Sequence, residues 1–340
     1  MIKKLNIDDL DHEYIFFDLD THYINLLRRV LYSNYIGSSF NKDDIAVIDN
    51  NTLMNNEILR HRISLIPVKS IYNLTCELKF KNRSKNILDV YSDDIWIQSG
   101  EGEIRKNILI IQLKPDEKIH IKMNSSKYSG NKLTNYRPFS VCYFKIIKAI
   151  YLKKNLNKKI KNLKNLKFYK KDIDKFEKIE NYEIYGYTSN LRDYHDPFIN
   201  FLNKDDYIIK EAYYNNKPIY SFNIELFFQE QNFIKKSLEL LKHKIKDFLN
   251  KKIELIPNIN DKKIILKIHK GDYGILNLLS KEIRKNEIIK YCAYNKEHPL
   301  DDFILLEYIT LNTNKDYYNI LHDNVNNIVN YINKINYLYE

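Results

Sequence analysis

The sequence is poor in glycine and cysteine, and each shortage removes a class of function. Seven glycines in 340 residues form neither a Gly-x-x-x-x-Gly-Lys loop nor a Gly-x-Gly-x-x-Gly turn, so no backbone cradle for nucleotide phosphates can be read. Three scattered cysteines, Cys76, Cys142 and Cys292, cannot build a disulfide framework or a cysteine zinc site. A reducing, cytosol-like compartment is expected. No uncharged apolar run approaches the 18 residues that a membrane-spanning helix needs. The opening stretch MIKKLNIDDLDHEY carries acids and no apolar h-region, so no signal peptide is expected there. The histidines lack metal-ligand spacing: His12-Glu13, His61-Arg62 and His195-Asp196 are isolated pairs, and His120, His269 and His298 stand alone.

What remains has the balance of a globular protein, 44% hydrophobic and 29% charged. The net charge is +11, with an isoelectric point of about 9.1. The excess is local. Residues 145–178 hold 13 lysines against Asp172, Asp174 and Glu177. That segment reads either as a solvated helical insertion or as a surface for phosphates, which would make the chain a basic nucleic-acid-binding module.

Aromatic and β-branched residues 14–19 predict a strand. A helix follows, capped by Asp20 or Thr21, with Ile24, Leu27, Val30 and Leu31 at helical spacing. A strand is expected at 45–48, then a short helix at 55–62 and a stop at Pro67. From 69 to 217 short strand-like runs alternate with polar turns, followed by the lysine-rich helical excursion. At 219 the first texture returns: YSFNIELF is a strand, and 231–250 is a helix with Ile234, Leu238, Leu241, Ile245 and Phe248 four and three apart. A mostly polar connector is expected at 249–263. Strands at 264–268, 288–294 and 303–310, a helix through Ile275, Leu278, Leu279 and Ile283, and a long final helix complete the chain. Neither end has the parallel βαβ repetition of a doubly wound sheet.

Asp18-Leu19-Asp20-Thr21 after an apolar strand resembles the opening of a haloacid-dehalogenase-type magnesium phosphatase, with Asp18 as nucleophile and Asp20 as acid/base. The surroundings depart from that pattern. His22 stands where the family has Thr or Val, and no glycine follows until Gly37. Asp93-Asp94 precedes an apolar pair rather than ending a strand, and Asp301-Asp302 follows a turn. The carboxylates are therefore read as a strand end and a helix cap.

A second resemblance lies further right. INLLRRVLYSNY (24–35) resembles the Asn-x-Leu-Arg-Arg-x-Leu signature of α-like RNA polymerase subunits. NNEILRHRISLIPV (55–68) resembles the run of the archaeal and eukaryotic members, with Glu57, His61, Arg62, Ile66 and Pro67 matched in place. NYRPFSVCYF, with Pro138 and Tyr143, and YSFNIEL, with Phe222 and Glu225, are weaker matches. The tail is similar to the smaller partner subunit of the same enzymes. GDYGILNLLSKEI agrees at Asp272, Asn277 and Leu278. YCAYNKEHPLDDFILLEYIT agrees at Ala293, Tyr294, the turn His298-Pro299, Leu300 and Thr310.

The resemblance implies an α+β fold in which two α-like dimerisation modules pack as an intramolecular pseudo-heterodimer around an inserted mainly-β domain. The larger module would be residues 1–68 with 218–252, the insertion 69–217 and the smaller module 253–340. Fusion would set the partners at an effective concentration on the order of millimolar. Ile24, Leu27, Leu31, Ile234, Leu238 and Leu241 are expected to bury against the helix of Ile275, Leu278, Leu279 and Ile283 and against the last helix. Arg28, Arg29, Arg60, His61 and Arg62 are expected either to pair with local carboxylates or, as the resemblance implies, to dock the large catalytic subunits. The chain would then be a non-catalytic assembly platform of a DNA-directed RNA polymerase. It would work with two large subunits and small accessory ones, touch DNA only through the complex and make no membrane contact. No cofactor is expected, because the zinc or iron–sulfur loop of some relatives is missing. Fusions of this kind occur in large DNA viruses, so the expected location is a cytoplasmic viral factory and the virion, with the nucleus left open.

Overall fold

The computed structural model describes residues 2–6, 10–153, 182–188, 207–230, 232–256, 263–311 and 317–337. The chain divides into two compact units. One gathers residues 1–28, 142–224 and 241–340, the other 29–141 and 225–240.

In the first unit the N-terminal strands Ile2–Asn6 and Asp11–Phe16 form an antiparallel pair. They continue into a four-stranded sheet through Tyr220–Leu226 and then Phe139–Ile146. The strand expected at 14–19 thus begins and ends earlier. Phe16 meets Phe222 edge to face at 5.9 Å, a geometry that aromatic quadrupoles favour. Glu13 is buried in this sheet and accepts a hydrogen bond from the Ser221 hydroxyl, which offsets the cost of its desolvation.

Next comes a three-stranded sheet ordered Tyr182–Thr188, Lys148–Lys153, Tyr207–Glu211. Ile147, Ala149 and Tyr151 alternate inward to join Ile15, Phe17, Ala212 and Ile219 in one apolar cluster. The helical reading of the lysine-rich stretch is therefore wrong for 148–153, which form a strand with Ala149 to Leu152 all buried. The remaining lysines of that stretch, from 154 onward, lie outside the described residues.

The C-terminal part of this unit is an antiparallel sheet ordered Ile253–Ile256, Lys263–His269, Phe303–Thr310, Ile289–Asn295. Ile253–Ile256 falls where a connector was expected. Its side chains are only half-covered, so its apolar period is faint. Helices α4 (Tyr273–Arg284) and α5 (Tyr317–Tyr337) pack on each other. Asp272 caps α4 by accepting from the Gly274 N–H at 2.8 Å. Ile275, Leu276, Leu278, Leu279 and Ile283 of α4 are all buried, a stripe worth roughly 10 kcal/mol of apolar transfer.

The second unit is built on a six-stranded sheet ordered Trp96–Ser99, Thr75–Lys81, Lys118–Ser129, Ile36–Asn50, Val68–Ser70, Gly102–Ile104. Helix α2 (Asn56–Ser64) is capped by the Asn55 side chain. Its Leu59 and Ile63 pack with Phe40, Ile45, Leu78, Ile111 and Ile121 in one core. The block at 36–68, expected to belong with the N-terminal module, is thus continuous with the β-rich region after 69. Residues 142–153 and 207–217, expected within the insertion, fall in the other unit. The shared core explains the difference: the long strand Ile36–Asn50 pairs with Lys118–Ser129 along its length. Gly37 lies where that strand meets Tyr136, and a Cβ there would overlap the Tyr136 carbonyl. Two helices, α1 (Thr21–Asn34) and α3 (Phe233–Asp247), contribute residues to both units.

Candidate assembly interface

The start of α1 meets the C-terminal module inside the first unit. Tyr23, nearly fully buried, donates its hydroxyl to Glu282 of α4 at 3.1 Å and packs its ring 4.8 Å from that of Tyr331 on α5. Burial, and then the Glu282 carboxylate, push the Tyr23 phenol pKa well up, so it stays a donor at all ordinary pH. The Tyr331 hydroxyl donates to the Asp18 carbonyl at 2.6 Å. His22 faces Lys281. Burial first, and then Lys281, hold its pKa below the usual histidine value, while Asp20 opposes. Lys244 pairs with Asp272 at 2.7 Å, tying α3 to the cap of α4.

The two aspartates singled out in the sequence belong to this junction. Asp18 has a left-handed backbone, φ 56°, at the turn from strand to helix. Lys217 pairs with Asp18 at 3.1 Å and with Asp20 at 3.6 Å, and Lys285 reaches Asp20 at 3.9 Å. Lysines from two distant segments thus occupy both carboxylates. Among the described residues no three His, Cys, Asp or Glu side chains gather as a metal site.

All ten apolar residues expected at the module interface are buried: Ile24, Leu27, Leu31, Ile234, Leu238, Leu241, Ile275, Leu278, Leu279 and Ile283. The five basic residues are placed differently from one another. Arg28 is half-buried and donates to the Asn25 side chain at 3.0 Å. Arg29 is exposed. Arg60 is half-buried and pairs with Glu57 one turn back at 3.3 Å, a surface pair that adds little. His61 and Arg62 are exposed, and Arg62 donates to the Leu109 carbonyl at 2.8 Å. The His298-Pro299 pair forms an exposed turn between two strands. Its His298 N–H donates to Asp301, and its Nδ1 accepts from the Leu300 N–H.

Tyr23, Lys217, Glu282 and Tyr331 went unread in the sequence. Tyr23 alone had a signal: it stands four residues before Leu27 and so shares the apolar face of α1. The others pair across 197 to 313 positions of chain, beyond the reach of any local pattern. All three cysteines are buried. Desolvation raises Cys76 to about 11 and Cys142 and Cys292 to about 12, so none is a poised thiolate.

The segment that holds α4 and α5 has a family match. Residues 263–337 match the RNA polymerase Rpb3/Rpb11 dimerisation domain. That segment contains Glu282 and Tyr331, the partners of Tyr23. The chain is also similar to DNA-directed RNA polymerase subunit Rpo3 of Methanocaldococcus jannaschii, 29% identical over 147 residues, which are 43% of this chain and 75% of the relative. It is similar as well to Rpo3 of Methanobrevibacter smithii, 25% identical over 154 residues, 40% of this chain and 55% of that relative. The first of these likenesses is nearly twice as long as the dimerisation domain, so at least part of it lies outside residues 263–337. Together the matches support an α-like, non-catalytic subunit of an RNA polymerase.

Proposed function

We propose that this chain is the assembly platform of a multisubunit DNA-directed RNA polymerase, carrying both α-like modules in one polypeptide as a pseudo-heterodimer. The N-terminal module, resembling the larger α-like subunit, takes the place of one partner. The dimerisation domain at 263–337 takes the place of the other. Their pairing presents a basic surface, including Arg28, Arg29, Arg60, His61 and Arg62, to the two large catalytic subunits. DNA is reached only through the assembled enzyme.

The observation that carries this reading is the junction at Tyr23. A helix that follows the first strands of the chain is hydrogen-bonded to α4 of a segment matching a dimerisation domain. A domain of that name needs a partner, and the contacts of Tyr23 with Glu282 and Tyr331 support a partner within the same polypeptide. Arg29 supports the docking half of the proposal, since an exposed guanidinium can bind carboxylates or carbonyls in a planar fork.

The test is recovery of the native protein from its source, followed by identification of what accompanies it. Two large polymerase subunits in equal amount are expected. Arg29→Ala should reduce their recovery while leaving the melting temperature unchanged. A chain recovered alone that hydrolyses p-nitrophenyl phosphate, with the activity lost in Asp18→Asn, would overturn the proposal.

A further inference from the structure

The six-stranded sheet of the second unit has one side in the core and one in solvent. Along Thr75–Lys81 the buried residues are Cys76 and Leu78, and along the stretch of Lys118–Ser129 paired with it they are Ile119, Ile121 and Met123. The period of two turns Glu77, Lys79, Lys81, Lys118, His120 and Lys122 to the other side. All four of these lysines are exposed. Trp96 stands directly opposite Glu77 on the next strand, so it shares that side. It is the one tryptophan of the chain and is 64% exposed. Lys81 lies directly opposite Lys118, a like-charge pair that costs stability in a sheet. The acids of this side are already occupied. Glu77 accepts from His120 and from the Gln98 amide, each at 2.6 Å, and Asp49 pairs with Lys118 at 2.5 Å. Among the described residues no carboxylate pairs with Lys79 or Lys81.

We propose that this side of the sheet holds a single strand of RNA. Lys79, Lys81, Lys118 and Lys122 take its phosphates, and Trp96 stacks on one of its bases. Neighbouring strands lie about 4.8 Å apart, and alternate residues along a strand about 7 Å apart, so the lysines are spaced on the scale of successive phosphates. Four lysines outweigh the two acids Glu77 and Asp49, a balance that suits a polyanion. A phosphate between Lys81 and Lys118 removes their repulsion. The indole offers a face on which any base stacks. A duplex keeps its bases paired inside and cannot use that face, so the strand is single. An acidic protein satisfies the lysines but leaves the indole without a base. The choice of RNA over DNA rests on the assembly reading above, since the unpaired product of an RNA polymerase is its transcript. The contact itself goes beyond that reading, which gives the chain protein partners only.

The experiment titrates the full chain with labelled oligo(U), oligo(dT), duplex DNA and polyglutamate, following both anisotropy and tryptophan emission. With one tryptophan in the chain, quenching reports on Trp96 alone. Saturable quenching by oligo(U) is expected. Three to four phosphate contacts should weaken its binding roughly 20- to 50-fold between about 50 and 200 mM salt. Oligo(dT) should bind within about threefold of oligo(U), and duplex at least about tenfold more weakly, because stacking needs an unpaired base. Trp96→Ala, read by anisotropy, should cost roughly 5- to 100-fold. Lys79→Glu/Lys81→Glu should weaken binding and flatten the salt dependence. These three positions are exposed, so melting temperatures should hold; where one falls, Trp96→Leu or Lys79→Gln/Lys81→Gln takes its place. Absence of oligo(U) binding at low salt, duplex bound as tightly as the single strand, or an unaffected double variant would each overturn the inference. So would oligo(dT) bound more than about tenfold tighter than oligo(U). Anisotropy without quenching would place the strand elsewhere on the chain, with the same consequence. Polyglutamate that quenches Trp96 at lower concentration than oligo(U) would assign the face to an acidic protein and also overturn it. The assembly reading is judged separately, by recovery of the large subunits.

Discussion

Replacing Tyr23 by Phe removes one oxygen from the junction and leaves its packing almost untouched. The ring still packs at a tilt, 4.8 Å from that of Tyr331, and the side chain still fills a nearly closed site. What is lost is the donation to Glu282, whose side chain is only 12% exposed. A hydrogen bond to a charged acceptor contributes about 1.5–3 kcal/mol. The lower end applies here, because 3.1 Å is long for a bond assisted by charge. Lys285, 2.6 Å from the same carboxylate, also keeps Glu282 partly satisfied. The expected destabilisation is about 1.5 kcal/mol, and at this chain length each kcal/mol lowers the melting temperature by on the order of 2 °C. Urea unfolding of Tyr23→Phe, Glu282→Gln and the double variant measures the coupling directly, with about 1 kcal/mol expected. Single variants whose effects add to within about 0.3 kcal/mol would show that the two residues do not share a bond, and the junction argument would lose its central contact.

Further outcomes follow from the same structure. His22 is held neutral by burial and then by Lys281, with Lys285 adding and Asp20 opposing. The unfolded chain therefore binds this proton more readily than the folded one. Stability from this group is fully present above the unfolded value of about 6.5 and is lost as pH falls below it. Urea midpoints measured between pH 7.5 and 5 should fall, and His22→Asn should flatten that slope. Gly37→Ala forces a Cβ against the Tyr136 carbonyl oxygen, a backbone atom that cannot rotate away, so a loss of about 2–3 kcal/mol is expected and calorimetry would show it. None of the three buried thiols should react with a thiol reagent at pH 8 in the native protein, and all should react in denaturant. A fast-reacting cysteine would contradict the burial of Cys76, Cys142 and Cys292.

The elements most legible in the sequence were those whose pattern is local. Asn55 before a Leu59–Ile63 stripe announces α2, and Ile275 to Ile283 announces α4. The strand Ile36–Asn50 was visible only at 45–48. Its first half, Gly37-Ser38-Ser39, reads as a turn until its hydroxyls find the Ser70 and Ser64 carbonyls, contacts made in space rather than along the chain. The lysines at 148 and 153 suggested a solvated helix, but the residues between them, Ala149 to Leu152, are buried in a strand. Two cations at the ends of a short run are compatible with either period, and packing against Ile15 and Phe17 decides. The aspartates at 18 and 20 gave the sharpest false signal. Their partner Lys217 is supplied by a segment nearly two hundred residues away, which no motif can anticipate.

One consequence of the Tyr23 junction concerns mass action. Two proteins that meet in solution part again on dilution, and a cell that makes unequal amounts strands the surplus. Residues 23 and 282 belong to one molecule, so their encounter is first order and its equilibrium is indifferent to concentration. Every translated chain carries both members in a fixed ratio of one to one.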